Sequence, residues 1–298
     1  MTVDTDALNV AEVEAVLQPI HPMLFSPNGQ MIVIPQLAVL RKNDGRRVQG
    51  TLILLVSLES GEILHTLMVN ETVLSTSTLI PPDDDPDVVF SPNGELLAAS
   101  IPQDSSHVVY VWNAETGERR WRTRMNNCPE LAFSKDGQFV LCTQRRIAIA
   151  DGTVKSLEES ALKPQSALVE TILYPQLRQP QVISPDQSLK AIHRGNGPLE
   201  IFELVNGAEK SLALLRSDED LAESAFFSPD SQQLIAVGYQ QDAIYLWQRG
   251  SQTFEKISLS LDAVFSIIWS IDGKRIGLNS ADNPNTFLIF EIDKMPRW

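Results

Sequence analysis

"FSPNG" stands at Phe25–Gly29 and again, unchanged, at Phe90–Gly94. Relatives of it follow along the chain: FSKDG at 133–137, ISPDQ at 183–187, FSPDS at 227–231 and WSIDG at 269–273. Successive copies start 65, 43, 50, 44 and 42 residues apart. A motif that returns at a near-constant period marks a repeat architecture in which each copy is one supersecondary unit. Its drift separates a structural turn from a ligand-reading loop. Proline gives way to Lys135 and Ile271, and glycine to Gln187 and Ser231. A loop that reads a ligand with its backbone amides is expected to keep its glycines, whereas a turn tolerates such losses one at a time.

Each copy sits between two apolar runs. DVVF, ELAF and SAFF precede it, and ELLAAS, QFVLCT and QLIAVG follow. A third run ends on a bulky residue and a second turn, as in VVYVWNAETGE at 108–118 and AIYLWQRGSQ at 243–252. A fourth follows that turn, as in ILHTL at 63–67 and KISLSL at 256–261. Short runs rich in Val, Ile and Phe, punctuated by Gly, Pro, Asn and Asp, are strands. Each repeat therefore reads as a four-stranded antiparallel meander, strands a to d in chain order. In the first turn Pro27 presets φ for one corner, Asn28 takes the next, and Gly29 supplies the left-handed residue that returns the chain into strand b. Ser26 caps the turn with its hydroxyl, and Phe25 ends strand a pointing into the core.

These repeats resemble the WD-repeat (WD40-like) family, with its aromatic–Ser–Pro–Asp–Gly turn between strands a and b and its Trp–Asp closing strand c. Trp112-Asn113 and Trp247-Gln248 stand at the Trp–Asp positions and keep only the tryptophan. The family's Gly–His dipeptide before strand a is missing from every copy. WSIDGKRIGLNS also resembles TolB-type propeller repeats. The resemblance implies an all-β chain folded as a β-propeller, a single domain over 1–298, and the count of six repeats gives six blades of four antiparallel strands. The last repeat has no strand d, and the segment at 13–20 (VEAVLQPI) is expected to supply it and close the ring. Seven blades is the alternative, but 68–87 is too short and too polar for one more.

Composition bounds the function. The chain has 298 residues, 43% of them hydrophobic, a net charge of −14 and a pI near 4.7. So acidic a surface repels phosphate backbones and anionic lipid heads, which argues against nucleic-acid and membrane partners. The N-terminus is not leader-like, and no run of 18 apolar residues occurs, so the expectation is a monomer in the cytoplasm. Cys128 and Cys142 flank one expected turn, and two reduced, half-buried thiols are expected there. No CxxC, Cys/His cluster, GxSxG or HExxH occurs, and the four histidines occupy different repeat positions. No metal or cofactor is expected.

In such meanders the a–b and c–d turns share one side, and the b–c and d–a connections the other. The a–b turns are tight. The long insertions, 41–50, 68–87 and 157–180, fall on the opposite side, where binding is expected. Its cations are Arg41, Lys42, Arg46 and Arg47 in one loop, Arg145 and Arg146 in a second, and His193 and Arg194 in a third. They suit an acidic protein or peptide partner, or a short RNA, although polar hairpin tips are also ordinary solvated loops, and NDG at 43–45 is itself a turn signal. Arg119, Arg120, Arg122 and Arg124 read as charges guarding an outer strand. PPDDDPD at 81–87 lacks calcium-loop spacing and reads as a solvated linker. The function expected is a non-catalytic protein–protein interaction scaffold. The alternative is a propeller-fold hydrolase or lactonase with carboxylates or a histidine in a central channel.

Overall fold

In the computed structural model, each copy of the serine turn joins two successive strands of an antiparallel sheet. The structure describes residues 10–19, 23–73, 86–103, 105–143, 145–156, 181–193, 198–205, 208–215, 222–238, 243–259, 264–280 and 287–294. Within these residues the chain is all-β, with six sheets in which chain neighbours are almost always sheet neighbours. Two compact units, 1–170 and 171–298, hold three sheets each.

In the first unit, sheet one holds β1 (Val10–Pro19), β2 (Leu24–Phe25), β3 (Met31–Lys42), β4 (Arg47–Ser57) and β5 (Ile63–Val73). Sheet two holds β6 (Asp87–Phe90), β7 (Leu96–Gln103), β8 (Ser106–Asn113) and β9 (Arg119–Met125). Sheet three holds β10 (Leu131–Phe133), β11 (Phe139–Cys142), β12 (Arg145–Ala148) and β13 (Val154–Ser156). In the second unit, sheet four holds β14 (Gln181–Ile183), β15 (Leu189–His193), β16 (Leu199–Val205) and β17 (Ala208–Leu215). Sheet five holds β18 (Ala222–Phe227), β19 (Gln233–Gly238), β20 (Ala243–Gln248) and β21 (Phe254–Ser258). Sheet six holds β22 (Val264–Trp269), β23 (Arg275–Ser280) and β24 (Phe287–Glu291).

The six turns share one hydrogen-bond set. The serine hydroxyl accepts the backbone N–H five residues on, at 2.9–3.0 Å. It donates to the Asn or Asp side chain two residues on, at 2.6–2.7 Å. That same side-chain oxygen accepts a further backbone N–H at 3.0–3.2 Å. The residue after the Asn or Asp has positive φ in all six copies, including Gln187 and Ser231 at 59°. The backbone requirement thus outlasts the glycine, and the loss is carried as strain at two copies.

Sheets pack face to face within each unit. Between sheets two and three the core includes Val89, Val109, Val111, Val140 and Ile147. Leu189, Ile201, Phe227 and Trp247 fill the space between sheets four and five, and Phe226, Ile235, Trp269 and Leu278 that between five and six. The buried Trp112, Trp247 and Trp269 are core residues, as their strand positions imply. Indole N–H groups are satisfied where they are covered: Trp247 donates to the Ser251 carbonyl at 3.0 Å and Trp269 to that of Phe226 at 3.3 Å.

Four expectations need correction. The segment expected to complete the last sheet lies in β1, which runs antiparallel along β3, from Val10 opposite Lys42 to Pro19 opposite Gln36. The reason is local. β2 covers only Ile32 and Val33 of β3, yet residues 36–40 are buried, and their backbone groups on that edge need a partner. Sheet six has three strands among the described residues. Secondly, 41–50 is not a loop: β3 runs to Lys42, β4 starts at Arg47, and the turn is only 43–46. Thirdly, Arg145 and Arg146 belong to strand β12, which pairs with β11 from Cys142 opposite Arg145 onward, with Thr143 at φ 51° beside it. Fourthly, Cys128 and Cys142 are not separate thiols but a disulfide, with Cα atoms 5.4 Å apart across 14 residues. Closing a loop of that size removes about 3 kcal/mol of unfolded-chain entropy. The insertion 157–180 and most of 68–87 (residues 74–85) lie outside the described residues.

The carboxyls of three turns titrate below their ordinary value. Burial pulls Asp186 upward, but hydrogen bonds from Ser184, the Ser188 backbone and hydroxyl, and Arg249 outweigh it and hold the group well below 3.8. Asp136 is lowered by the Ser134 hydroxyl and then the Gln138 N–H. At Asp272 burial is again outweighed, by Ser270 and the Lys274 N–H. A folded-state value below the unfolded one adds stability that is complete above about pH 4 and is lost as pH falls through the folded-state value. Denaturation midpoints measured against pH should therefore be level from pH 7 to 5 and fall below 4. Asp186→Asn, the residue type of the first two turns, should shallow that fall. At pH 7, Ser228→Ala, which leaves the Gln233 N–H without its buried acceptor, should cost about 1–3 kcal/mol. An unchanged urea midpoint would show that the hydroxyl does not hold the hairpin.

Candidate partner-binding surface

The long hairpin of sheet one places the largest group of candidate residues. Its strands β3, β4 and β5 have 12, 11 and 11 residues, against 8, 8 and 7 for β7, β8 and β9. The extra length lies at the end away from the serine turn. Leu37, Ala38, Val39, Leu40 and Val48 are all buried along it, so both faces of the ribbon are covered. The ribbon turns at Asn43-Asp44-Gly45, where Gly45 takes φ 85°. The Gly45 N–H donates to the Lys42 carbonyl at 2.9 Å, and that of Lys42 to the Arg46 carbonyl at 2.8 Å.

At this tip, Arg41 and Arg47 are register partners on adjacent strands. Two like charges so placed repel unless an anion intervenes. Glu14 of β1 is that anion: its carboxylate forms ion pairs with Arg41 and with Arg47, the latter at 2.6 Å. Glu14 keeps only 15% of its side chain exposed, whereas Arg41 keeps 44% and Arg47 36%. Arg46 turns back onto Asp44 at 2.7 Å and remains 61% exposed. The Arg46 backbone N–H and then its guanidinium lower the Asp44 carboxyl below its ordinary value. The tip is thus a cationic surface braced by two carboxylates.

The other candidates lie on other sheets. Arg145 and Arg146 point to opposite faces of β12, as alternation requires. Arg146 sits 4.9 Å above the Phe139 ring, a cation–π contact across the β11–β12 pair. His193 ends β15, opposite Leu199, and Arg194 lies outside the described residues. The structure therefore groups Arg41, Lys42, Arg46 and Arg47, and distributes Arg145, Arg146 and His193 over sheets three and four. Sequence reading missed Glu14, which lies 33 residues from its partner Arg47. The apolar-rich run Val13–Leu17 was the available signal of a strand, but only its pairing with β3 says which strand it serves.

The serine turns of adjacent sheets meet at the opposite end. A Cβ on Gly94 would come within 2.9 Å of the Asn28 side chain, and the Asp186 N–H donates to the Ser231 hydroxyl at 3.0 Å. Among the described residues, no three His, Cys, Asp or Glu side chains converge to hold a metal ion, and no helix is long and apolar enough to cross a membrane.

No protein-family model matches the chain, and no curated protein matches it. Among solved structures, the β-propeller domain of Cps50 (Swd1) from Myceliophteria thermophila is similar at 10% identity, with a TM-score of 0.48, covering 95% of this chain and 100% of that one.

If Glu14 braces the tip, Glu14→Gln should speed amide exchange over residues 36–42 and lower the thermal midpoint by a few degrees or less, since part-exposed pairs contribute about 1 kcal/mol or less. Unchanged exchange along β3 would show that β1 holds its register without the ion pairs.

Proposed function

We propose that the chain is a non-catalytic, monomeric interaction module of the β-propeller type, its six sheets acting as blades of one ring. It holds an acidic protein or peptide partner on the side away from the serine turns. The cations at the end of the first sheet's long hairpin make the main contact, with Arg145, Arg146, His193 and Arg194 adding to it from the third and fourth blades. The observation that carries this reading is the construction of the tip. A ribbon covered on both faces is extended to present four basic residues, and Glu14 and Asp44 fix three of them in place. A hairpin that served only to connect two strands needs neither the extra length nor the covering. Fixing the arginines in advance lowers the side-chain entropy lost when they meet an anionic surface.

The test must spare the Glu14 pairs that tie β1 to the tip, whereas the exposed Arg46–Asp44 pair contributes little to stability. Replacing Arg47 by an acid sets it against Glu14 and loosens β1, so Lys42→Glu with Arg46→Glu is the informative pair. Affinity capture from the native cell, followed by cross-linking and mass spectrometry, should give cross-links that map to residues 41–47. The double variant should lose them while melting at the wild-type temperature. Equal capture by both proteins would overturn the assignment of the tip.

A further inference from the structure

The outer strand of sheet two, β9, is the second basic feature of this acidic chain. It reads RRWRTRM and carries four arginines and no carboxylate. All four are exposed. Among the described residues, no carboxylate pairs with Arg119, Arg120 or Arg122. Guarding an edge against aggregation does not require this composition. The outer strands β17 and β21 do it with mixed charges, Glu209 with Lys210 and Glu255 with Lys256, and β13 carries only Lys155.

The register of β9 shows that the arginines are aligned. Val108 lies opposite Arg124, Tyr110 opposite Arg122 and Trp112 opposite Arg119. Between the last two pairs the register shifts, and Arg120 is the extra residue. Strict alternation would put Arg119 and Arg122 on opposite faces of the sheet, because they are three residues apart. The bulge at Arg120 removes that mismatch. Arg119, Arg122 and Arg124 therefore share the face that carries Val108, Tyr110 and Trp112. Trp121 and Thr123 take the other face, and there the Trp121 indole N–H donates to the Ile149 carbonyl of sheet three at 3.0 Å. The same face of β8 holds Tyr110 stacked on Trp112, ring centroids 5.2 Å apart, which makes a rigid floor beside the arginine row.

β9 pairs with β8 on one edge, and no strand among the described residues pairs with the other. We infer that this edge takes up an extended acidic peptide as an additional strand, with Asp or Glu at alternate positions facing Arg119, Arg122 and Arg124. Two features select a peptide. An edge strand offers N–H and C=O groups at peptide spacing, which a sugar–phosphate chain cannot match. Side chains two residues apart on the added strand stand about 7 Å apart, the spacing of Arg122 and Arg124 on β9. The charge of −14 on the whole chain disfavours a long polyanion while leaving a short acidic segment to the local field. This surface is separate from the hairpin tip of sheet one and does not depend on that assignment.

The probe is a fluorescein-labelled octapeptide of Glu, Thr and Val with glutamates at every second position. Its control has the same composition with the glutamates consecutive. Fluorescence anisotropy at 0.1 M salt should show the alternating peptide binding at least ten-fold more tightly. Hydrogen exchange should slow over residues 119–125 in its presence. Arg122→Gln, and separately Arg119→Glu with Arg122→Glu, should each weaken binding, the double variant at least ten-fold, with unchanged melting. Lys42→Glu with Arg46→Glu should bind the peptide as the wild type does. Equal binding of the two peptides, no protection in β9, or equally tight binding of a single-stranded oligothymidylate would each overturn the proposal.

Discussion

The first hairpin of every sheet closes on one serine hydroxyl. In all six turns it donates and accepts at once. The hydroxyl takes the N–H that starts the returning strand and gives its proton to the side chain at the corner, which then takes another N–H. Most of these serines are buried, from 0% exposed at Ser26 and Ser228 to 3% at Ser270. A buried hydroxyl without partners would be a liability. Fully partnered, it fixes the path of strand a into strand b, and with it which strand residues face which neighbouring sheet. The aromatic residue before the serine and the apolar residues after it are placed by that one group.

This is why so much of the fold was legible. The turn chemistry is local, so the six copies could be found and the strands around them drawn with near-correct boundaries. What was not legible is what depends on distant partners. The last repeat lacks a fourth strand in sequence, and that gap argues for placing 13–20 there. The stronger need was along the far half of β3, where buried backbone groups lacked a partner, and no local signal says so. Residues 41–50 read as a loop because five charges and a turn signal cluster there, yet Leu40 and Val48 continue the strands into it. The cysteine pair was missed for a similar reason. Cys128 lies in a connection whose course is set by contacts with sheet two, where the Ser100 hydroxyl bonds its carbonyl and His107 accepts its N–H.

Of the candidate site, residue types were legible and their surroundings were not. Four basic residues near 41–47 were evident, but the carboxylates that brace them change what they offer. A bare cluster would be a set of mobile charges, whereas Arg41 and Arg47 bound to Glu14 form a surface of fixed shape. The arginines of β9 show the converse. In the sequence they read as charges guarding an outer strand, and only the bulge at Arg120 brings three of them into a row.

The contacts between serine turns carry a thermodynamic consequence. The turn of sheet five touches those on both sides: Ser231 bonds Asp186 of sheet four, and the Asp230 carboxylate lies 3.6 Å from where a Cβ on Gly273 of sheet six would stand. Arg249, after β20, reaches back to Asp186 and Ser188 of sheet four. Repeat arrays behave as chains of units with nearest-neighbour coupling, and the size of that coupling sets how many units unfold together. Here the coupling runs through the same groups that close each hairpin. Sheets four and five are therefore coupled turn to turn, so that opening either of these two turns withdraws bonds from the other.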